Sequence, residues 1–297
     1  ENKFKKNLKI NLQERVKFFK PNDNLNEFEK YLYKCLINDF PLAYFEKFKD
    51  LKKSNNKLNN LVKKKIFTKV SYISNERFKI WLAHMVSKKT QLYIGQHGGC
   101  LITKLNGFLG LDKKISNKIL TWNKTSEHNE LQVSPVELLK FKKKVKKKKL
   151  ENLLIVNAET ARYPCKIQGH PFAEEYKKSF RSICSLIKTL NLNIQNKTLY
   201  RSNNLGYNTA SQIKKKFNHI NTETFQKNLI LDDFKTSKLI VCTYPETAIS
   251  EMITINVPSI ILIPNNLYEF DNNSTKIIDQ LKNANVFFDN SYDAAKH

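Results

Sequence analysis

The short segment GQHGG at positions 95–99 holds three of the seven glycines in the chain and follows the predicted strand TQLYI. Glycines after a strand let backbone N–H groups approach a ligand closely, and an imidazole can accept a proton near neutral pH. The spacing fits neither GxGxxG nor a Walker A loop. We therefore expect either a ligand-binding loop or a tight structural turn with a hydrogen-bonded histidine. The candidate residues are Gly95, Gln96, His97, Gly98 and Gly99.

A second candidate is the segment TYPETAISEM at 243–252, which also follows an apolar run. Thr243, Glu246 and Thr247 can cap a helix and present N–H groups and hydroxyls to an anion. Glu251 lies four residues after Thr247, so both side chains share one helix face. A carboxylate near the carboxyl end of a strand is suited to bind ribose hydroxyls. The alternative is that Glu246 and Thr247 only cap the helix.

Arginine is rare in this chain, since five of the 52 basic residues are arginine. A guanidinium in a lysine-rich sequence suggests planar, bidentate binding of a phosphate or carboxylate. Arg201, just beyond a predicted strand at 197–200, is the first candidate, and Arg162 is the second. An ordinary surface ion pair is the alternative for each.

The elements that must position these residues alternate between strand and helix. Amphipathic helices at 25–38 and 41–50 are followed by a strand at 66–72, a helix at 77–89 and a strand at 90–95, which together predict a parallel βαβ unit. The second half repeats this alternation, which indicates a parallel sheet with helices on both faces. Its predicted strands are 152–158, 197–200, 238–244, 258–263 and 285–288, and its predicted helices are 172–190, 208–217, 246–255 and 275–284.

A lysine-rich block at 140–149 separates the two halves, with eight lysines in ten positions. Such a block repels itself and resists burial, which favours a linker. We expect an N-terminal, acceptor-side domain at 1–139, truncated at its start, and a C-terminal nucleotide-sugar-binding domain at 150–297.

The net charge of +25 invites a nucleic-acid interpretation, but the excess is almost all lysine, as a biased coding sequence would produce. No apolar run is long enough to span a membrane, and no signal peptide is visible. The five cysteines are scattered and never form a CxxC pair, which favours a reducing, cytoplasmic setting and argues against a thiolate metal site.

Taken in order, these motifs resemble a bacterial family of surface-carbohydrate biosynthesis transferases, distantly similar to the capsule and lipopolysaccharide Kdo transferases of the GT-B type. The family's QHGG loop is matched at 96–99, and its TYxxT…E element at Thr243, Tyr244, Thr247 and Glu251. The matching segments as a whole are 40–51, 75–99, 119–123, 239–265 and 284–297, and NVPSI at 256–260 matches the small strand that follows the second element.

The resemblance implies a GT-B-like α/β fold with two Rossmann-like domains, parallel sheets flanked by helices, and a cleft between the domains. It implies a glycosyltransferase that uses a nucleotide-sugar, with a CMP-linked Kdo-like acidic sugar as one candidate, and needs neither metal nor cofactor. Gln96 and His97 are expected at the acceptor or reacting centre. The nucleotide-sugar is expected at Arg201, Thr243, Tyr244, Thr247 and Glu251, with Arg201 near the phosphate.

The expected acceptor is a glycan or a lipid-linked glycan, and the basic surface would allow peripheral contact with the anionic inner face of a membrane. Two alternatives remain open from the sequence. The motifs depart from the family pattern at Cys100-Leu101 and in Pro245-Glu246, so a catalytically degenerate member is one. A nucleic-acid-binding protein is the other, but only one aromatic, Phe141, lies among the lysines of 140–149.

Overall fold

A computed structural model describes most of the chain, and contacts between Cα atoms divide it into two compact units, Glu1–Gly95 and Gln96–His297. The predicted boundaries at 139 and 150 stay predictions, because the block 140–149 lies outside the described residues. The described residues are 10–20, 24–59, 64–98, 109–122, 128–135, 138–139, 152–163, 171, 173–203, 205–224 and 230–297.

The first unit begins with short helices whose starts follow from capping side chains. Asn26 and Glu29 form a reciprocal capping box at the second helix, and Asn75 caps the sixth. The helices are α1 Leu12–Phe18, α2 Glu27–Asp39, α3 Phe48–Ser54, α4 Asn56–Asn59, α5 Ser71–Ser74 and α6 Glu76–Ser87, with a 3-10 turn at Leu42–Tyr44.

Two parallel strands complete the first unit, β1 Lys65–Thr68 and β2 Gln91–Gly95. Alternate residues of each strand face inward, as period-two patterning requires. The core formed there also contains the apolar face of α6. Its buried members are Ile66, Tyr72, Leu82, Met85, Leu92 and Ile94.

The second unit contains the remaining described elements. Its strands are β3 Lys118–Thr121, β4 Glu130–Gln132, β5 Asn152–Asn157, β6 Thr198–Ser202, β7 Asn221–Thr224, β8 Ser237–Cys242, β9 Ser259–Leu262 and β10 Phe287–Phe288. Its helices are α7 Leu109–Ile115, α8 Glu174–Thr189, α9 Leu192–Asn196, α10 Thr209–Lys216, α11 Ile230–Thr236, α12 Thr247–Ile255, α13 Asn272–Asn283 and α14 Ser291–Lys296.

The described strands form two sheets, with the orders β1-β2-β3-β4 and β10-β9-β8-β5-β6-β7. Every neighbouring pair in the larger sheet is parallel. Its chain starts in the middle at β5, moves outward through β6 and β7, then returns to the other side of β5 as β8. This is the Rossmann strand order, and it confirms the predicted parallel α/β class.

The larger sheet is buried on both faces because successive residues of its central strand point in opposite directions. Leu154 and Val156 of β5 belong to the core cluster that includes Phe234, Ile249 and Ile261. The alternate residues of β5 join a second cluster, which contains the inner face of α8. Continuous apolar strands are therefore what this architecture requires.

Several predicted elements are shorter or different in the structure. The helix predicted at 41–50 is wrong as a single element, because a 3-10 turn at Leu42–Tyr44 precedes α3. The strand predicted at 66–72 ends at Thr68, and α5 takes its last residues. Among the described residues, no helix is long and apolar enough to cross a membrane.

Candidate functional site

The carboxyl ends of β5 and β8 lie side by side at the point where the strand order of the larger sheet reverses. In open α/β sheets, ligands bind in the crevice beyond such a switch point. The segments leaving these two strands are 158–163 and 243–246. The second of them is part of the motif that the sequence singled out.

Thr243 joins the two strands at this edge. Its N–H donates to the carbonyl of Val156 (3.0 Å), and its hydroxyl lies 3.1 Å from that carbonyl and 3.0 Å from Asn157 Oδ1. A hydroxyl has one hydrogen to donate, and here both acceptors belong to the protein. Thr243 therefore holds the ends of β5 and β8 together.

Helix α12 begins directly at the switch point, at Thr247. Glu246 precedes it as the N-cap residue, and its side chain makes no capping hydrogen bond. Glu251 lies one turn further along, partly buried, and burial raises the pKa of its carboxyl to about 7. Thr247 and Glu251 share a helix face, as their spacing predicts. Tyr244 instead lies in the core, where burial raises the pKa of its phenol well above the usual range.

The loop at 96–98 is held by Gln96, whose side chain is almost fully buried. Its Oε1 accepts hydrogen bonds from the Thr121 hydroxyl (2.9 Å) and from the Trp122 N–H (2.9 Å). Its Nε2 donates to the carbonyl of Gly98 (2.7 Å). Gln96 therefore orders the loop, whereas His97 is exposed and makes no hydrogen bond with a described residue.

Gly98 and Thr247 lie against each other, although 149 positions separate them in the sequence. A Cβ atom added to Gly98 would stand 2.6 Å from Thr247 Oγ1, closer than real Cβ contacts come. The structure thus brings the two predicted motifs together at this pair. Gly99 lies outside the described residues.

Gly95 ends β2 in the first unit and has a packing role there. An added Cβ would stand 2.8 Å from Cζ of the Phe67 ring. The absence of a side chain at Gly95 therefore leaves room for the Phe67 ring to pack against the end of β2.

Arg201 makes an ion pair, as in the alternative that the sequence left open, but the pair is buried and not at the surface. Its buried guanidinium binds Asp233 of α11 in a short ion pair, and lies 3.5 Å from the Glu223 carboxylate. Burial raises the pKa of the Asp233 carboxyl, and the guanidinium opposes that shift. Arg201 therefore joins β6, β7 and α11, and this placement does not favour a phosphate contact.

A buried polar network at the same edge of the sheet was not predicted from the sequence. Nδ2 of Asn157, the last residue of β5, lies 3.0 Å from the Tyr176 hydroxyl and 2.9 Å from the Tyr200 hydroxyl. The Tyr200 hydroxyl in turn donates to Thr209 Oγ1 (3.0 Å). A polar residue at the end of an otherwise apolar strand, as in NLLIVN, was the available signal.

Glu159 was also missed, and it organises the loop between β6 and α10. Its Oε2 accepts hydrogen bonds from four successive backbone N–H groups, those of residues 205–208, at 2.9 to 3.2 Å. Its Oε1 accepts from the N–H and the hydroxyl of Thr209 (2.6 and 2.7 Å). Burial alone would raise the pKa of this carboxyl, but the Thr209 and backbone donors hold it below its usual value.

No group of three or more His, Cys, Asp or Glu side chains suited to a metal ion occurs among the described residues. The switch point offers the N–H groups at the start of α12 and the carboxyl of Glu251, which has no charged partner among the described residues. Such a surface can bind a polar, anionic ligand through hydrogen bonds.

The complete chain, residues 1–297, matches a family model described as LIC12162 family transferase. No curated protein is significantly similar to the sequence. Among solved structures, S. aureus MnaA, in a co-structure with UDP, is similar with a TM-score of 0.52 at 11% identity, over 96% of this chain and 76% of that chain. Acinetobacter baumannii MurG has a TM-score of 0.41 at 10% identity, over 80% of this chain and 64% of that chain.

The wall teichoic acid polymerase TagF has a TM-score of 0.34 at 10% identity, over 86% of this chain and 88% of that chain. At these identities a structural similarity shows the fold alone, and MnaA provides that evidence. Together with the two parallel sheets, it confirms the predicted GT-B-like fold class.

Proposed function

The chain belongs to the LIC12162 family of transferases, and from this we propose that it is a glycosyltransferase that moves a sugar from a nucleotide donor onto a glycan or lipid-linked glycan acceptor. The proposed setting is the synthesis of a bacterial surface polysaccharide, on the resemblance described for the sequence. The family supplies the reaction class, and the site geometry supports the choice of donor.

The observation that supports this function most is the meeting of Gly98 with Thr247 beside the β5–β8 switch point. One motif supplies a loop with an exposed imidazole, and the other supplies a helix start with a carboxyl one turn away. A nucleotide-sugar has both an anionic phosphate and a ribose diol. The two motifs therefore offer contacts to different parts of one ligand.

Glu251 is the residue we assign to the ribose. Its carboxyl has no charged partner among the described residues, and a diol can donate two hydrogen bonds to it. Thr247 lies on the same helix face, and we assign it to the phosphate end of such a ligand. A CMP-linked acidic sugar of the Kdo type is one candidate donor.

The transfer we propose breaks the bond between the anomeric carbon and the donor phosphate oxygen and forms a bond from that carbon to an acceptor hydroxyl oxygen. The phosphate leaves with the electron pair, and backbone N–H groups can stabilise its charge. We assign to His97 the role of accepting the acceptor's proton or orienting the hydroxyl. In this scheme the reaction needs no metal ion.

The test is isothermal titration of the full chain with CMP, CDP and UDP. We expect at least one to bind at pH 8, where a carboxyl with a pKa of about 7 is mostly ionised, and Glu251→Gln to weaken that binding about tenfold through the loss of a charged acceptor. Glu269→Gln, which changes an exposed carboxylate, is the matched control and should bind as the wild type does. A folded chain that binds none of the three would contradict the proposal.

A degenerate family member is the second candidate, because the sequence departs from the family pattern at Pro245-Glu246. It predicts that nucleotide binding persists while no nucleotide-sugar releases its nucleotide. Measuring nucleotide release from a panel of nucleotide-sugars, with His97→Ala as comparison, separates the two candidates.

A further inference from the structure

Arg162 differs from the other four arginines in what its guanidinium contacts. Among the described residues, it makes no ion pair and no hydrogen bond, and its only charge-related contact is the face of the Tyr163 ring, 5.6 Å from the ring centroid. The other four bind protein oxygen atoms. The pairs are Arg15 with Glu46, Arg77 with Asn55 and the Ser54 carbonyl, Arg181 with Glu174, and Arg201 with Asp233.

Arg162 also lies at the edge of the sheet where ligands bind in open α/β folds. It is exposed and follows the end of β5 by five residues, in the segment that leaves the switch point. Arg201, the other arginine considered for this role, is buried in an ion pair. Of the two, only Arg162 can present its donors to a ligand.

The backbone of Arg162 is fixed by contact with Gly206. A Cβ atom added to Gly206 would stand 2.9 Å from both the N and the Cβ of Arg162, and the φ of Gly206 is +155°, which side chains rarely adopt. No other residue type fits between these two segments without displacing one of them.

Gly206 is itself held by Glu159, because its N–H donates to Oε2 of that carboxylate (3.1 Å). The same carboxylate binds the N–H groups of the neighbouring residues up to Thr209. Stacking of Tyr207 on Tyr176, with ring centroids 4.3 Å apart, adds a second attachment of this loop. Glu159 therefore holds the backbone of the loop 205–209, and Tyr176 holds its Tyr207 side chain.

We propose that Arg162 binds a phosphate group of the nucleotide donor, with Glu159 and Gly206 as positioning residues. A guanidinium has five N–H donors in a planar fork that matches two phosphate oxygens. Contact with the Tyr163 ring uses the face of the fork and leaves its edge donors available. This inference rests on the proposed function, and the experiment below separates the failure of one from the failure of the other.

The experiment compares ligands with and without phosphate on the full chain: CMP, CDP and UDP, the nucleosides cytidine and uridine, and inorganic pyrophosphate. Arg162→Ala should weaken binding of the phosphate-containing ligands about 10- to 100-fold and leave nucleoside binding unchanged. Arg162→Lys should fall between, because an ammonium is a point charge. Arg181→Ala, an exposed arginine on α8, should change nothing.

The positioning role is tested with Gly206→Ala and Glu159→Gln. Both should weaken nucleotide binding through Arg162, so that neither adds a further loss in the Arg162→Ala background. A merely structural effect would lower nucleoside and nucleotide binding alike, and would lower them again in the double variants. That result would remove the positioning role.

Each outcome decides one question. Unchanged nucleotide and pyrophosphate binding by Arg162→Ala overturns the inference while leaving the proposed function in place. Equal loss of nucleoside and nucleotide binding also overturns it. If the wild type binds no nucleotide, the proposed function fails, and binding of pyrophosphate that depends on Arg162 still supports the phosphate site. If the wild type binds no pyrophosphate either, the inference fails too.

Discussion

At the residue scale, Glu251 is a carboxyl whose surroundings oppose its charge. Burial raises its pKa from 4.5 to about 7, and no positive group in the part of the chain that the structure describes offsets the shift. Between those two pH values the folded chain binds more protons at this residue than the unfolded chain does. The contribution of Glu251 to stability therefore falls as the pH rises through that window.

We predict that Glu251→Gln without nucleotide is more stable than the wild type at pH 8, by up to about 3 kcal/mol, with little difference at pH 4. Urea unfolding at both pH values measures this. Glu269→Gln, at an exposed position, is the control, and its free energy of unfolding should stay within about 0.5 kcal/mol of the wild type. An equal stability difference at the two pH values would contradict a raised pKa of Glu251 in the folded chain.

The role of Gly98 is steric: it allows the loop to lie close to Thr247. We predict that Gly98→Ala weakens nucleotide binding at least tenfold, because its Cβ would meet Thr247 Oγ1 at 2.6 Å. Replacing Thr247 with alanine removes that oxygen. In the Thr247→Ala background, Gly98→Ala should therefore cost much less, and a double-mutant cycle of nucleotide affinities measures the difference.

If the two substitutions are instead additive, the close approach of Gly98 to Thr247 has no effect on binding. Thermal unfolding of the same four proteins shows whether any loss of affinity is only a loss of fold.

At the scale of elements, α1 and α2 are joined by one buried arginine. Arg15 donates to both oxygens of Glu46 (2.7 and 2.8 Å) and to backbone carbonyls at the end of α2. The guanidinium holds the pKa of the Glu46 carboxyl down, at about 2. No residue of α2 is fully buried, so this pair supplements the packing of the Phe19 and Phe40 rings, whose centroids lie 5.0 Å apart at the ends of the two helices.

Arg15→Ala should lower the free energy of unfolding by about 3–5 kcal/mol, because it leaves a carboxylate and several carbonyls without their donor. The pKa of Glu46 is depressed in the fold, so its contribution to stability is complete above pH 4.5 and is lost as the pH falls toward 2. The variant should lack that part of the acid dependence.

Urea unfolding at pH 7 and pH 3 tests both statements. Lys30→Met, which breaks an exposed pair with Glu27, is the control and should cost under about 1 kcal/mol. Equal stability of Arg15→Ala and the wild type at pH 7 would contradict the assigned role.

At the scale of the whole molecule, the net charge of +25 is the dominant property. A surface of this charge is attracted to an anionic membrane, and salt screens the attraction. We predict co-sedimentation with vesicles that contain phosphatidylglycerol, and none with phosphatidylcholine alone. Binding should fall steeply between about 0.05 and 0.5 M salt.

Replacing the lysines of 140–149 with glutamine removes eight positive charges and should weaken vesicle binding, while nucleotide binding stays unchanged. Equal binding to neutral and anionic vesicles would contradict an electrostatic contact. Binding to RNA with an affinity that survives His97→Ala and Glu251→Ala would instead favour the nucleic-acid alternative.

The sequence by itself determined the class of fold and the two motifs. Apolar periodicity reports local burial, so β5, β8 and α12 were predicted within two residues, and the glycines of 95–99 marked a loop after a strand. The break between the 3-10 turn and α3 was missed because both segments have helical spacing, and only packing divides them.

Tertiary structure decided which of these residues act together. Glu159 and the N–H groups of 205–209 are about fifty positions apart, and Gly98 and Thr247 even further, so no local pattern connects them. The same holds for the two arginines: the sequence proposed both for a phosphate, and only the positions of Asp233 and Tyr163 distinguish them. The local spacing of apolar residues determines whether a segment forms a helix or a strand. Contacts between distant segments decide which polar side chains have partners within the protein and which remain available to a ligand.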